Sequence, residues 1–443
     1  MKKIEREEYI LQKKCYLILL YLFYLNGVSY KSIISRSFGF HFDPKCNFKV
    51  VVFSNHEHIH KYVIHIFNSL WKANLEEIDV MGNVNFFKVK NVDYLDPYIP
   101  QSSLNVYFDE YNFRAIGFME GKKIDYYLKD RNNLKFKQDE ARGNIFKDDI
   151  LYLLNLDKNE DNEESFIHFL LKLFTYRTEV DLVLGSGINA DYGAKDWKSL
   201  TVSLNEKFYE GSLDRIKEIK HYIGGELFVS SKILKTNGFD TYKELNKELY
   251  LFKPDIDFFS NKQTTLYIIT DYIARHDKTT VITYNYDTNL EYILKKRGIL
   301  YNTTYDDNSF LNKEAKVSIF HVHGLLPFDR YNESKFTDSL IFNESEYYYL
   351  YNNPYSWNIA KQLHDFIFNT SIFIGISLTD PNMKRLLELA SNHLKFNFIF
   401  MKREEGFDAK TYKDVTNYFF TYDLITIWIN DYKEINDWLK IID

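Results

Sequence analysis

Glycine and small polar residues follow a short apolar run in the segment DLVLGSGINADYGAKDW. Gly185, Ser186 and Gly187 come directly after the apolar residues 182–184, and Ala190 lies three positions further on. The spacing G-x-G-x-x-A lets the backbone approach a pyrophosphate at the start of a helix. Glycine-rich turns after strands are also common where no such ligand binds. The segment therefore predicts a phosphate-binding loop, with a plain turn as the alternative.

A second apolar run, in VITYNYD, ends in Asn285 and Asp287. Polar side chains just past the carboxyl end of a buried strand project toward a ligand crevice, which suits groups that hold a sugar or orient a water molecule. Asp287 or Thr288 would serve equally well as the cap of the helix that follows. Asn285 has no such capping role, so we interpret it as a site residue.

Two histidines end a third run, in IFHVHGLLP. Because side chains alternate along a strand, His321 and His323 are expected on one face of it. Such a pair fits zinc ligands or a general base, although no third cysteine or histidine ligand lies close in sequence. His323, beside Gly324, is the predicted base, since the unperturbed pKa of histidine lies nearest neutrality.

The fourth segment is IFIGISLTDPNMKRLL, in which Gly375, Ser377 and Asp380 follow an apolar run and precede a helix. Pro381 fits the first turn of that helix. Gly375 would let the backbone approach a ligand, and the Ser377 hydroxyl would bond a phosphate. A plain strand, turn and helix is the alternative.

Strands and helices alternate around these segments. Strand-length apolar runs occur in TTVITYN, VSIFHVHG, TSIFIGIS, FNFIFM and LITIWI, and all of them except FNFIFM are followed by a helical pattern. Buried strands that alternate with helices predict a doubly wound parallel sheet, which binds ligands at the carboxyl ends of its strands. Residues 200–278 are mainly helical and are interpreted as an insertion.

The chain is long enough, at 443 residues, for two domains. Residues 1–155 are predicted to form a mixed α+β domain with strands at 48–54, 84–90 and 103–111 and a helix at 60–75. The polar segment 155–165 is the predicted linker to a catalytic domain at 160–443. His56, His58, His60 and His65 raise a metal hypothesis, against which we weigh surface histidines near a turn.

Composition restricts the class of protein. The formal net charge of −6 argues against a nonspecific nucleic-acid coat, so no direct nucleic acid is expected. The apolar run at residues 15–25 is too short to span a bilayer and follows acidic residues, so we expect a buried helix and no membrane association. Cys15 and Cys46 are the only two cysteines. They cannot build a four-cysteine zinc site, and their scarcity fits a reducing cytoplasm.

In this order and spacing, the four segments resemble the motifs of the sirtuin superfamily over roughly residues 175–435. GSGINADYGAKDW is similar to the family's Gly-Ala-Gly-Ile-Ser loop that ends in Gly-Ile-Pro, TYNYD to its Thr-Gln-Asn-Ile-Asp, HVHG to its His-Gly strand, and GISL to its Gly-Thr-Ser-Leu. The prokaryotic sirtuin-like antiphage defence proteins, with Asn-Tyr-Asp, His-Gly and Gly-Tyr-Ser-Leu-x-Asp, are more similar still. Two departures are Asn189 in place of the loop serine and Lys195 in place of the proline.

The resemblance implies a Rossmann-like sirtuin fold and an NAD+ glycohydrolase that acts in abortive infection by NAD depletion. The missing zinc ribbon implies cleavage without protein deacylation, with NAD+ as the substrate and no zinc. Asn285, Asp287 and His323 are then the catalytic residues. The implied nucleotide-binding residues are Gly185, Ser186, Gly187, Asn189, Trp197, Gly375, Ser377 and Asp380.

Within these roles, the glycine-rich loop and Ser377 would hold the diphosphate, and Asn285 would orient ribose hydroxyls or the attacking water. Asp287 would fix Asn285 or contact the ribose, and His323 would act as the general base. Such an activity must be gated, by a homo-oligomer, by residues 1–155 or by a partner such as an ATPase. The alternatives are a sensor that binds NAD or an ADP-ribose-like nucleotide without cleaving it, and a zinc-independent deacylase.

Overall fold

The computed structural model of the chain gives two compact units, Met1–Tyr176 with Asp408–Tyr418, and Arg177–Phe407 with Phe419–Asp443. The predicted boundary at residues 155–160 stays a prediction. The structure describes residues 17, 47–53, 74–81, 84–90, 103–109, 114–120, 161–176, 178–208, 240–250, 264–307, 312–330, 333–353, 355–391 and 396–442.

The first unit contains a five-stranded sheet in the order β2-β3-β1-β4-β5. Its strands are β1 (Asn47–Phe53), β2 (Asn74–Met81), β3 (Val84–Lys90), β4 (Ser103–Asp109) and β5 (Arg114–Glu120). β1 pairs parallel with β4 and antiparallel with β3, so the sheet is mixed. Three of these strands fall on the predicted segments. The sequence analysis missed β2 and β5, which hold charged residues among their apolar ones.

Two boundaries in this unit differ from the sequence predictions. Asn74 and Leu75, placed at the end of a helix, belong to β2, because they pair with Lys90 and Val89 of β3. Helix α1 (Asp161–Thr175) begins inside the predicted linker. Acidic residues stabilise the positive end of a helix, which explains why the sequence DNEE starts one here.

The other predictions for this region fall mostly outside the described residues. That holds for the four histidines at 56–65 and for the apolar run at 15–25, of which the structure describes Leu17 alone, as helical and buried. Among the described helices, none is both long and apolar enough to cross a membrane.

The second unit is built on a seven-stranded parallel sheet in the order β12-β11-β10-β6-β7-β9-β8. Its strands are β6 (Val180–Leu184), β7 (Thr279–Thr283), β8 (Tyr301–Thr304), β9 (Val317–His321), β10 (Thr370–Ile374), β11 (Asn397–Lys402) and β12 (Leu424–Ile429). All five residues of β10 are buried, as expected for a parallel strand covered on both faces. The predicted doubly wound, Rossmann-like α/β fold is confirmed.

Helices follow most of these strands. They are α2 (Trp197–Phe208), α3 (Thr241–Leu249), α4 (Thr265–Arg275), α5 (Asn289–Lys296), α6 (Ser334–Thr337), α7 (Glu344–Asn352), α8 (Trp357–Phe368), α9 (Pro381–Ala390), α10 (Ala409–Phe420) and α11 (Ile435–Lys440). Most of α10 belongs to the first unit. Short 3-10 helices occupy Ser186–Tyr192 and Tyr432–Glu434. The predicted helical insertion contains α2, α3 and α4, and its residues 209–239 and 251–263 lie outside the described ones.

The strand register places the four predicted motifs next to one another at the carboxyl edge of the sheet. Leu184 of β6 lies opposite Ile374 of β10 and Thr283 of β7, and Thr283 lies opposite His321 of β9. The loops after these strands therefore leave the sheet side by side. β6 and β10 are also the switch point, because the chain continues from β6 to one side of the sheet and returns at β10 on the other.

Candidate functional site

Loops after β6, β7, β9, β10 and β11 enclose a cavity of about 650 Å³. Ligand pockets usually measure roughly 300–1,000 Å³, so this cavity has room for a small molecule. All eleven residues predicted for the site line it: Gly185, Ser186, Gly187, Asn189, Trp197, Asn285, Asp287, His323, Gly375, Ser377 and Asp380.

Three glycines, Gly185, Gly187 and Gly375, bring the loops after β6 and β10 into backbone contact. The Gly187 N–H donates to the Gly375 carbonyl at 3.0 Å, and a Cβ on Gly187 would lie 2.7 Å from the Gly375 Cα. Gly375 has a φ of +68°, and a Cβ there would lie 2.6 Å from the Ile188 nitrogen. The space beside these glycines, which the sequence predicted to hold a ligand, is thus occupied by the backbone of the neighbouring loop. Nucleotide contact by the same glycines stays a prediction.

Asn285 ties the loop after β7 to the glycine-rich loop. Its Nδ2 donates to the Gly185 carbonyl at 3.1 Å, and its backbone N–H donates to Thr283 Oγ1 at 3.1 Å. One end of the amide is therefore fixed by the protein, and the side chain lines the cavity.

Asp287 belongs to a buried polar network. Its Oδ2 accepts from Asn189 Nδ2 at 2.8 Å, and its Oδ1 accepts from the Asn289 backbone N–H at 3.0 Å. The second bond satisfies the first N–H of α5, while the N-cap position itself is Thr288, whose side chain makes no capping bond. The expected contact with Asn285 is absent from the described hydrogen bonds, because both oxygens point to other groups. Burial raises the pKa of Asp287 to about 6, against the effect of the Asn289 bond.

Asn189 is 2 % exposed and closes the same network, since its Oδ1 accepts from Asn289 Nδ2 at 3.2 Å. Both ends of its amide thus have protein partners. This residue was predicted to bind the nucleotide, and the structure shows it holding Asp287 in place.

His321 and His323 do not share a strand face, because β9 ends at His321. The chain then turns, with the Gly324 N–H donating to the His321 carbonyl at 3.0 Å. Gly324 has a φ of +87°, and a Cβ there would lie 2.3 Å from the Ser339 carbonyl oxygen, so only glycine fits this turn. The turn sends His323 to the cavity and leaves His321 below it.

His321 forms a buried ion pair. Its Nε2 lies 2.7 Å from Glu291 Oε1, and its Nδ1 donates to the Asn285 carbonyl at 2.9 Å. Burial by itself lowers the pKa of His321, but the Glu291 carboxylate and the Asn285 carbonyl raise it above its usual value. His321 therefore supports the backbone of Asn285 from beneath.

His323 is 4 % exposed and is held between two aromatic rings. The rings of Tyr284 and Tyr347 meet it edge to face, with centroids 4.9 Å and 5.4 Å away. Burial lowers the pKa of His323 below its usual value, and the nearby Asp380 carboxylate offsets part of that effect. The imidazole is therefore neutral at pH 7 and able to accept a proton.

Asp380 is the N-cap of α9, where its Oδ1 accepts from the Met383 N–H at 2.7 Å. Its Oδ2 accepts from the Tyr347 hydroxyl at 2.8 Å. Both oxygens thus have protein partners, and nucleotide contact by Asp380 stays a prediction. Ser377 is exposed, and its hydroxyl lies 3.0 Å from the Thr379 hydroxyl.

Trp197 opens α2 and packs against a buried cluster beside the cavity. Its ring contacts Phe342 and Tyr286 at centroid distances of 5.2 Å and 6.3 Å. The side chain lines the cavity as predicted, and these ring contacts make it part of the wall.

Sequence reasoning missed a charged cluster at the edge of the cavity. Lys195 Nζ lies 2.5 Å from Glu248 Oε2, and Lys207 Nζ lies 2.5 Å from Glu248 Oε1. Burial raises the pKa of Glu248, but the hydrogen bonds from the two lysines outweigh it and lower the pKa. Glu248 is 53 residues from Lys195 in the chain, so no local pattern could pair them.

Tyr284, Tyr347 and Glu291 were also missed. Tyr284 lies inside the TYNYD motif, and its position beside Asn285 was a usable signal. Glu291 is a carboxylate among the buried residues of α5, and a charge on such a face usually has a partner.

In the described part of the chain, no three His, Cys, Asp or Glu side chains come together to hold a metal ion. The fold and the cavity together define a doubly wound α/β domain with a ligand crevice at its topological switch point, the class to which many nucleotide-binding proteins belong. Residues 279–422 match the SIR2-like domain family. This segment is therefore similar to a SIR2-like domain, which is compatible with NAD-related activity.

The matched segment begins at β7 and runs through β11, so β6 and its glycine-rich loop lie before it. The sheet nevertheless places β6 between β10 and β7, in the centre of that domain. No curated protein matches the chain.

Proposed function

We propose that this domain is an NAD+ hydrolase that cleaves the bond between nicotinamide and ribose to give nicotinamide and ADP-ribose. The observation that carries the proposal is the convergence of Asn285, Asp287 and His323 on one cavity at the carboxyl edge of the sheet. The SIR2-like domain supports NAD+ as the substrate.

Hydrolysis breaks the bond from the ribose C1′ to the nicotinamide nitrogen. The electron pair stays with that nitrogen, which turns the charged pyridinium into neutral nicotinamide. Water adds to the oxocarbenium-like C1′ and gives up one proton. The site therefore needs an oriented water, a proton acceptor and polar groups near the positive centre.

The described side chains fit these needs. His323 is neutral at pH 7 and takes the proton from water or from a ribose hydroxyl. Asn285, with Nδ2 fixed on Gly185, presents Oδ1 to the ribose hydroxyls or to the water. Asp287 lines the same space, where we place the ribose. Ser186 and the exposed Ser377 lie on the two loops that meet at the glycines, where we place the diphosphate.

The test measures nicotinamide release from NAD+ by the purified, activated protein. We expect Asn285→Ala and His323→Ala to lose about 100-fold or more in kcat, the usual range for a lost general base. Asn352→Ala and His364→Ala are matched controls, because both residues are exposed and lie outside the cavity. Cavity variants as active as the wild type would contradict the proposal.

We also propose that the activity is a gated effector of antiphage defence, controlled by residues 1–155, by self-association or by a partner such as an ATPase. A cell that consumed NAD+ constantly would not survive, so the site must respond to a trigger. Cellular NAD+ is to be followed with and without phage for the wild type and for Asn285→Ala. A level that never falls in infected cells that carry the wild type would contradict this role.

One observation favours a second function, which is binding of NAD or an ADP-ribose-like nucleotide without cleavage. Asp287 and Asn189 already have protein partners for their polar atoms, as a rigid binding wall requires. Calorimetric binding of NAD+ without nicotinamide release in any state of the protein would favour this sensor over the hydrolase.

A further inference from the structure

One nitrogen of His323 is buried inside the protein. Its Nε2 is inaccessible to solvent and makes no hydrogen bond within the described residues. The same atom lies 3.5 Å from Asp380 Oδ2, which is within ion-pair distance but longer than a hydrogen bond. Catalytic contacts are often long in the absence of substrate and shorten when it binds. The buried nitrogen of His323 thus has one carboxylate within reach.

That carboxylate is held firmly. The start of α9 fixes Asp380 Oδ1 through the Met383 N–H, and the Tyr347 hydroxyl fixes Oδ2 at 2.8 Å. Tyr347 also contacts the His323 ring, so one side chain positions both partners. The third group around His323 is Tyr284, from the loop after β7. Asp380 is therefore the acidic side chain that faces this imidazole, with a tyrosine on each side.

We propose that Asp380 is a positioning residue that acts through His323 and does not bind the nucleotide. The carboxylate keeps the proton of the imidazole on Nε2, so that Nδ1 is left as the nitrogen that accepts a proton in the cavity. It also stabilises the imidazolium that forms when Nδ1 takes the proton. The proposal rests on the proposed function of His323 as the general base.

Asp380 could have one of three roles, which the sequence motif does not distinguish but kinetics of an Asp380→Asn variant does. A residue that only caps α9 is replaced without loss by asparagine, which is as good an N-cap. A residue that binds the nucleotide affects mainly KM. A carboxylate that acts through His323 affects kcat and the pH profile, because an opposite charge favours the protonated imidazole.

The experiment compares Asp380→Asn with the wild type, and Asp240→Asn is the matched control. Asp240 is the N-cap of α3, where it accepts from the Lys243 N–H, and it does not line the cavity. For Asp380→Asn we expect kcat for NAD+ to fall about 10- to 100-fold, within the range for impaired general-base catalysis. We expect KM to change by less than about twofold, and the acid limb of the kcat/KM profile to move to lower pH. Tyr347→Phe should also lower kcat and move the acid limb to lower pH, each by a smaller amount.

A second readout needs no turnover. The imidazole pKa of His323 is measured by NMR titration of ring-labelled protein, with the resonance assigned from His323→Gln. Asp380→Asn should lower that pKa, and Asp240→Asn should leave it unchanged. An unchanged His323 pKa, or a raised KM with unchanged kcat, would overturn the proposal. If the wild type releases no nicotinamide, the hydrolase proposal fails, while the titration still decides whether Asp380 controls His323.

Discussion

The two sides of the cavity hold their functional groups in different ways. Around the loops after β7 and β9, side chains form buried polar networks, with Asp287 bonded to Asn189 from the loop after β6 and His321 bonded to Glu291. On the side of β6 and β10, the loops meet through the backbone of three glycines, and the Ser377 side chain is exposed. Charge changes should therefore tune the buried networks, whereas the glycine contact between the loops after β6 and β10 should reject any added atom.

The largest effect is expected from Gly375→Ala. The new Cβ would lie 2.6 Å from the Ile188 nitrogen at a φ of +68°. Left-handed backbone costs ~1–2 kcal/mol and overpacking a further ~1–3 kcal/mol, so we expect a loss of about 3–4 kcal/mol in the free energy of unfolding. Urea denaturation measures it.

Gly406→Ala is the matched control for that substitution. Gly406 also has a positive φ, of +89°, but nothing lies within 4 Å of its Cβ position. Gly406→Ala should lower the free energy of unfolding only by the cost of left-handed backbone, about 1–2 kcal/mol. Equal losses at the two glycines would show that the loops after β6 and β10 can separate, and the comparison between the two sides would fail.

Asp287→Asn should stabilise the protein at alkaline pH. The pKa of Asp287 is raised to about 6 in the folded state, so the folded protein binds the proton more tightly than the unfolded chain does. The free energy of unfolding of the wild type therefore falls as pH rises from about 4 to about 6 and stays lower above that range. Each pKa unit corresponds to about 1.4 kcal/mol, which limits the gain for asparagine to about 3 kcal/mol at pH 8.

The measurement is urea denaturation of Asp287→Asn and wild type at pH 4 and pH 8. The two proteins should differ least at pH 4, where the carboxyl is protonated in the folded state and about half protonated in the unfolded chain. The asparagine can keep both contacts if the Asn189 and Asn289 amides rotate by 180°. Destabilisation at pH 8 would mean that the network needs the charge, and activity should fall even where stability rises.

The sequence predicted the strands that carry the site because their apolar runs are short, buried and followed by polar residues. β8 was missed because YNTT is a four-residue, mostly polar run at the sheet edge. All the predicted site residues line the cavity, since the carboxyl ends of parallel strands share one edge. The contact of Gly187 with Gly375 could not be predicted from the sequence, because it joins distant segments. The same holds for the approach of Asp380 to His323.

Glu291→Gln tests the buried pair beneath Asn285. The pKa of His321 is raised in the folded state, so its pairing stabilises the protein fully below the unfolded pKa, near 6.5. That stabilisation is lost as pH rises through the folded pKa. Hydrogen bonds to charged groups contribute ~1.5–3 kcal/mol, so we expect a loss of about 2 kcal/mol at pH 6 and a smaller loss at pH 9.

The control for Glu291→Gln is Glu333→Gln, which removes the surface pair between Glu333 and Arg330. Thermal and urea unfolding of this variant should match the wild type, since exposed pairs contribute little. A loss at position 291 that does not depend on pH would show that His321 is neutral in the folded protein and serves only as a hydrogen-bond donor to Asn285.

Ser377→Ala should have the smallest effect on stability and should sharpen the comparison on the backbone side. The side chain is exposed, so the free energy of unfolding should change by less than about 0.5 kcal/mol. If this hydroxyl meets the diphosphate, KM for NAD+ should rise about tenfold with kcat unchanged, since a hydrogen bond to a charged group is worth ~1.5–3 kcal/mol. Thr379→Val removes the contact between the two hydroxyls and keeps Ser377. The same KM in both variants would mean that Ser377 acts by ordering its loop and not by touching the substrate.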